Sequence, residues 1–285
     1  MNQKPTSEAG YDHVALARVR STCLYIATIL GNVLDDIVIV GGFAPNLLVD
    51  QEHLPVGLDA HAGTMDLDLG LALDLLKEER YRELSQSLRE VGFEPDVNES
   101  GNPTRQRWRS SSDWSVTVDF LISPSEEAED GGTLFDIESD LAAVVTPGLH
   151  LAFQDRRQVR LSGQTILQEN ASRDIWVCGP GSLTVLKALA FGDRGTNKDA
   201  YDLAYVWRAL GVDQIAEFLA PLLGDPVVAR ALSIIQKDFT EHNGIGPRRA
   251  AAFQPDVPSE ETQADVVGMA TRLLSLLSLP PLGLK

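Results

Sequence analysis

His61-Ala62-Gly63-Thr64-Met65-Asp66-Leu67-Asp68-Leu69 sets two carboxylates one residue apart in an otherwise apolar run. Read as a strand, the run points Asp66 and Asp68 to the same side and Leu67 and Leu69 to the other. Two like charges that close resist ionising together unless a cation or basic group lies between them, so a divalent metal is the natural partner. A polar strand edge bathed in water is the alternative for an isolated Asp-x-Asp. The surrounding chain decides between them.

Upstream, Asp36-Ile37-Val38-Ile39-Val40 is a β-branched run that breaks into Gly41-Gly42, after which Phe43 to Val49 read as the first turns of a helix. Strand, glycine turn and helix N-terminus together make a place where backbone can approach a phosphate. No Gly-x-Gly-x-x-Gly and no Gly-Lys-Ser/Thr accompanies it, so neither a dinucleotide fold nor a P-loop is supported. Before it, residues from about Glu8 to Leu34 show helical spacing of apolar side chains and predict a covering helix.

Downstream, Asp74 to Glu90 predicts a helix with Asp74 as its N-cap and Leu75, Leu76, Tyr81, Leu84 and Leu88 inward. Thr104-Arg105-Gln106-Arg107-Trp108-Arg109 reads as a strand with all three arginines on one face. A turn at Ser110-Ser111-Ser112 would pair it with Asp113 to Ile122. That second strand carries Asp119 inside Val-Thr-Val-Asp-Phe-Leu-Ile, where a carboxylate is costly unless it is paired or binds metal. Ser123 to Thr133 is acidic and reads as a surface loop, and Leu134 to Val177 alternates short β-like runs with turns. From Pro180-Gly181 to Leu279 the periodicity is mainly helical. The expectation is an α/β (α+β) protein with a mixed-sheet domain over 1-175 and a mainly helical domain over 176-285, ending in a fraying Pro-Pro-Leu-Gly-Leu-Lys tail.

The composition constrains partners. With 285 residues, 44% hydrophobic and 23% charged, the chain can bury a substantial core. A net charge of -17 excludes broad, non-specific binding to nucleic acid or anionic membrane, which draws on excess Lys and Arg. Cys23 and Cys178 form no Cys-x-x-Cys pair, and with no signal peptide or membrane-length apolar run the expectation is reduced packing thiols in a cytoplasmic protein. His13, His53, His150 and His242 share no ligand spacing, which argues against a zinc enzyme. Trp108, Trp114, Trp176 and Trp207 are expected in the core, and Arg248-Arg249 is too small a basic patch to signal RNA contact.

Gly-Gly after a strand, Asp-x-Asp on the next strand and a third strand aspartate resemble the nucleotidyltransferase superfamily. Lys187-Ala188-Leu189-Ala190-Phe191-Gly192-Asp193-Arg194-Gly195-Thr196-Asn197-Lys198-Asp199-Ala200-Tyr201-Asp202-Leu203 resembles the Lys-x-x-Ala-x-x-x-Arg-x-x-x-basic-Asp-x-x-Asp-Leu signature of the AbiEii-like, abortive-infection nucleotidyltransferases. The resemblance spans Ile37 to about Leu210. It implies a nucleotidyltransferase-like sheet domain and transfer of an NMP unit from an NTP with magnesium or manganese. Asp66 and Asp68 would grip the metal-bound triphosphate, and Asp119 would share a second metal and help activate the incoming hydroxyl. Gly41, Gly42, Thr64, Lys187 and Lys198 would serve the nucleotide, with Asp199 and Asp202 belonging to the functional signature. It further implies an RNA acceptor such as tRNA, or a protein acceptor, and a toxin paired with an antitoxin protein.

One departure stands out: the family pattern has an arginine where this chain has Ala62. His61 is a weak substitute cation near neutral pH, and Arg105, Arg107 or Arg109 are the stronger candidates if they are not simply solvated. Three other functions compete. Asp-x-Asp also marks haloacid-dehalogenase-like phosphatases, but Ala-Gly-Thr-Met is not their buried apolar strand and Gly70 replaces the usual Thr or Val. Calcium binding fails because Asp66-x-Asp68-x-Gly70 lacks the later ligands of an EF-hand loop. A non-catalytic binding or regulatory module on the same fold is opposed by the retained Asp66, Asp68 and Asp119.

Overall fold

The computed structural model describes residues 5–72, 85–98, 100–110, 116–125, 131–137, 141–257 and 259–278. The chain divides into two compact units. One comprises Tyr11–Leu47 and Ala62–Cys178; the other gathers Lys4–Gly10, Leu48–His61 and Gly179–Lys285. Periodicity near residue 175 registers the start of the long helical stretch. It carries no sign that two short early segments join that stretch, because neither has a repeat of its own.

The first unit is built on a mixed sheet. Its strands are β1 (Ile37–Val40), β2 (Asp66–Leu71), β3 (Phe93–Val97), β4 (Pro103–Ser110), β5 (Thr117–Ile122), β6 (Leu134–Asp136), β7 (Ala142–Val145), β8 (Arg156–Gln164) and β9 (Asn170–Cys178). The order is β3-β4-β5-β2-β1-β9-β8, with β7 beside the end of β5 and β6 beside β7. β2 runs parallel to β5 and antiparallel to β1. Strand alternation then does what the sequence implies: Leu67, Leu69, Leu71, Val118, Phe120 and Ile122 are fully buried on one face.

Helix α1 (His13–Ile29) covers that apolar face. Its start is fixed by Asp12, whose Oδ1 accepts from Ala15 N, so the helix begins later than Glu8 and residues 8–10 form a separate 3₁₀ turn. Cys23, Ile26, Ala27 and Leu30 meet Ile37, Ile39, Leu67, Leu69 and Ile175 around an apolar cavity. Burial pushes the Cys23 thiol up to about 12, which leaves it an inert packing group. Gly41–Phe43 form a 3₁₀ turn that leads into the short helix α2 (Ala44–Leu48), and α3 (Leu149–Gln154) packs against β1 and β9.

Of the expected helix over Asp74 to Glu90, residues 85–90 are helical and Leu88 is buried. Asp74, Leu75, Leu76, Tyr81 and Leu84 lie outside the described residues, as do Ser111, Ser112, Trp114, much of the acidic loop and the final tail.

The second unit is helical: α4 (Pro180–Arg194), α5 (Asn197–Leu210), α6 (Val212–Leu219), α7 (Pro226–Phe239), α8 (Ile245–Phe253) and α9 (Ser259–Ser278). Pro180 and Pro226 sit in first turns, where a missing N–H costs nothing. Phe191, Trp207 and Phe239 pack edge to face in the core, with the Phe191 and Phe239 centroids 4.7 Å apart. Trp108 is also fully buried, whereas Trp176 is only half-buried, with Arg156 over its ring and Asp35 accepting its indole N–H. The fold is mixed α/β, an open mixed sheet with flanking helices followed by a helical C-terminal region.

Candidate functional site

The register of three neighbouring strands builds the site. Asp68 on β2 lies opposite Asp119 on β5, and Asp119 lies opposite Arg107 on β4. Residues directly paired across strands share a face, so two carboxylates and a guanidinium stand in one row. Asp66, two residues before Asp68, joins them. One ligand oxygen from each of Asp66, Asp68 and Asp119 lies within 4.8 Å of the others, a spacing that one cation can bridge.

Each carboxylate has its own support. Thr64 Oγ1 donates to Asp66 Oδ1 at 2.8 Å, and both residues are buried. Gly41 adopts φ +70°, and a Cβ there would fall 1.8 Å from Asp68 Oδ2. A Cβ on Gly42 would fall 2.7 Å from Thr64 Oγ1. The glycine pair is therefore the seat into which Asp68 and Thr64 fit. Arg107 donates from Nε and Nη2 to the two oxygens of Asp119, each at 2.6 Å. Its bond to Asp119 holds the guanidinium above its ordinary pKa against the opposing pull of burial, and Asp66 and Asp68 add to the effect.

Arg107 and Arg109 share a face in the regular pairing with β5, whereas the register of β4 against β3 shifts between Thr104 and Trp108, and the three arginines differ in partner. Arg105 pairs with Asp136 at 2.8 Å, Arg107 with Asp119 and Arg109 with Asp96 at 3.0 Å. None is a merely solvated charge.

The donor set fits a hard divalent cation: three carboxylates and no soft sulfur or imidazole. Among the described residues it is the one group of three or more His, Cys, Asp or Glu side chains arranged to hold a metal. The formal charge of the three aspartates and Arg107 is −2.

A second cluster lies within the helical unit. Thr196 caps α5: its Oγ1 accepts from Asp199 N and donates to Asp199 Oδ2 at 2.5 Å. Arg194 clamps both Asp199 oxygens at 2.6 and 2.8 Å, and Lys187 Nζ lies 3.4 Å from Oδ1. One turn on, Asp202 takes Lys187 at 2.6 Å and also Lys198. The Lys187 approach to Asp202 Oδ2 is close enough for an ion pair but is not aligned as a hydrogen bond. His61 Nε2 meets Asp202 Oδ1 at 2.9 Å, and its ring packs against Tyr201 and Tyr205.

Burial and pairing pull these groups in opposite directions. Burial raises the Asp199 carboxyl, but Lys187 and Arg194 outweigh it and bring the pKa down to about 2. At Asp202 burial is likewise overcome by Lys187, Lys198 and the His61 hydrogen bond, leaving it well below the carboxylate range. Burial lowers Lys187, and the two aspartates more than reverse that. Lys198 stays below its ordinary value because burial prevails. His61 is lowered to about 4, first by burial and then by Lys198, against the pull of Asp202. With Asp202 ionised and able only to accept, the neutral ring carries its proton on Nε2.

No family model matches the chain, and no curated protein matches it. Among solved structures, one described as a candidate nucleotidyltransferase from H. pylori aligns over 93% of this chain and 97% of its own, at a TM-score of 0.39 and 14% identity. A likeness that distant carries no weight for function.

The expected residues thus fall into two groups. Gly41, Gly42, Thr64, Asp66, Asp68 and Asp119 come together in the sheet unit. Lys187, Lys198, Asp199 and Asp202 come together in the helical unit, where both lysines face carboxylates of their own chain. His61 corrects one expectation: it is buried and neutral against Asp202, so it supplies no cation in place of the arginine absent at Ala62. Sequence reasoning missed Arg107 as the partner of Asp119, because strand adjacency is invisible before the sheet order is known. It also passed over Thr196, although Thr-x-x-Asp before a helical run is a capping signal.

Proposed function

We propose that the protein is a divalent-metal-dependent nucleotidyltransferase that moves an NMP unit from an NTP onto a hydroxyl of RNA such as tRNA, or of a protein. The observation that carries this reading is the convergence of Asp66, Asp68 and Asp119 on adjacent strands, all facing away from the apolar core. Magnesium or manganese held there supplies charge neutralisation to the reacting phosphates. In the reaction the acceptor oxygen bonds to the α-phosphorus, the bond to the β-phosphate bridge breaks, pyrophosphate leaves, and the hydroxyl proton is lost to a base.

The chain's own residues pre-set this chemistry. Thr64 fixes the rotamer of Asp66, Gly41 admits Asp68, and Arg107 holds Asp119 through one lone pair on each oxygen, leaving others for a ligand. A nucleotide role for Lys187, Lys198, Asp199 and Asp202 is proposed on their resemblance to the signature alone. The toxin role, an antitoxin partner and a cytoplasmic site of action complete the proposal and rest on the resemblance of Lys187 to Leu203.

A non-catalytic binding module is the second reading, favoured by one observation: both Asp119 oxygens are engaged by Arg107. Incubation with each labelled NTP, magnesium, and total tRNA or a protein extract separates the two. Label transfer that disappears in Asp66→Ala supports the enzyme. No transfer by a chain that binds manganese supports the module.

A further inference from the structure

All three arginines of β4 are in ion pairs, and the carboxylate that Arg107 holds belongs to the triad. The position of Arg107 is fixed by the strand. Trp108 is fully buried on the opposite face and packs edge to face with Phe120, so Arg107 is held on the side of Asp119. The bidentate pair, with side-chain exposures of 24% and 13%, is protected from full solvent screening.

Arg107 sets a positive charge against one of the three carboxylates, where it opposes any cation brought to the same oxygens. We infer that Arg107 is a resident counter-cation for Asp119, weakening the hold of the nucleotide-free site on a divalent ion. This rests on the metal reading above and goes beyond it, assigning control of metal affinity to a residue outside the triad.

The test is a manganese titration of the full chain without nucleotide, with free Mn²⁺ read by electron paramagnetic resonance. The wild type is expected to bind manganese. Arg107→Gln should bind it about tenfold tighter, because a positive charge beside the ion is gone. Arg105→Gln, which leaves the triad's own guanidinium in place, should change affinity by less than about threefold. Arg107→Lys keeps the charge without the fork, and should also stay within about threefold of wild type.

Unchanged or weaker binding by a folded Arg107→Gln overturns the inference, since its charge would then not weaken the ion's hold and its effect would be to position Asp119 at most. If Arg107→Gln does not fold, as judged by circular dichroism, Arg107→Lys decides: a larger loss of affinity than that limit overturns the inference. A wild type that binds no manganese instead removes the metal reading itself, whereas normal wild-type binding with an unaltered Arg107→Gln removes only the role of Arg107.

Discussion

At Gly41 the absence of one carbon atom decides where a carboxylate sits. The residue has φ +70°, and a methyl group on it would overlap Asp68 Oδ2 at 1.8 Å and Cγ at 2.6 Å. Gly41→Ala therefore combines backbone strain of about 1–2 kcal/mol with displacement of Asp68. The expected result is at least about tenfold weaker manganese binding, measured by titration, with the chain still folded. Gly42→Ala meets only Thr64, at 2.7 Å from Oγ1, a side chain able to turn. Its effect should be smaller than that of Gly41→Ala in the same titration. Thr64→Val keeps the shape and removes the hydrogen bond to Asp66 Oδ1, at a cost of about 1 kcal/mol in metal binding; Thr64→Ser should recover it. Equal affinities for wild type and Thr64→Val would show that Asp66 needs no such support.

Helix α5 presents Asp199 and Asp202 three residues apart on one face, and α4 brings Lys187 between them. Both carboxylates are 1% exposed, so their charges are affordable only while the cations stay. Lys187→Met strips the cation common to both, and we expect a loss of about 3 kcal/mol or more in urea denaturation. Lys198→Met should cost less, since Asp202 then retains Lys187 and the His61 N–H. A Lys187→Met chain as stable as wild type would show that the network contributes nothing to folding. Element by element, much of this was legible beforehand. Ile37–Val40 and Asp66–Leu71 announce themselves by β-branched and alternating residues, and α5 by its Lys198–Asp202 spacing. The order β5-β2-β1 was not, because pairing between strands about thirty and about fifty residues apart leaves no local trace. The same gap hid Arg107: three arginines at alternate positions could be seen, but which carboxylate each would meet depends on what lies beside β4.

Across the whole molecule, acid acts in two opposing ways. Protonation relieves the self-repulsion of a chain carrying -17, but that repulsion is spread over the surface and screened beyond about 8 Å at physiological salt. It also titrates the buried network, where screening hardly reaches. His61 is neutral in the folded chain down to about 4 and takes a proton in the unfolded chain near 6.5, so between those values the unfolded state binds more protons and stability falls as the pH falls. The gap corresponds to about 3 kcal/mol as an upper figure. Asp199 extends the loss: its carboxylate contributes stability above 3.8 that disappears as the pH drops towards about 2. The buried groups outweigh the diffuse repulsion in salt, and the urea midpoint is expected to decline from pH 7 to pH 4 and again below it. His61→Gln keeps a donor at the place of Nε2 for Asp202 without a titrating ring, so it should flatten the profile between 6.5 and 4 and leave the lower loss intact. Parallel profiles for wild type and His61→Gln across that upper window would place the acid sensitivity elsewhere in the chain.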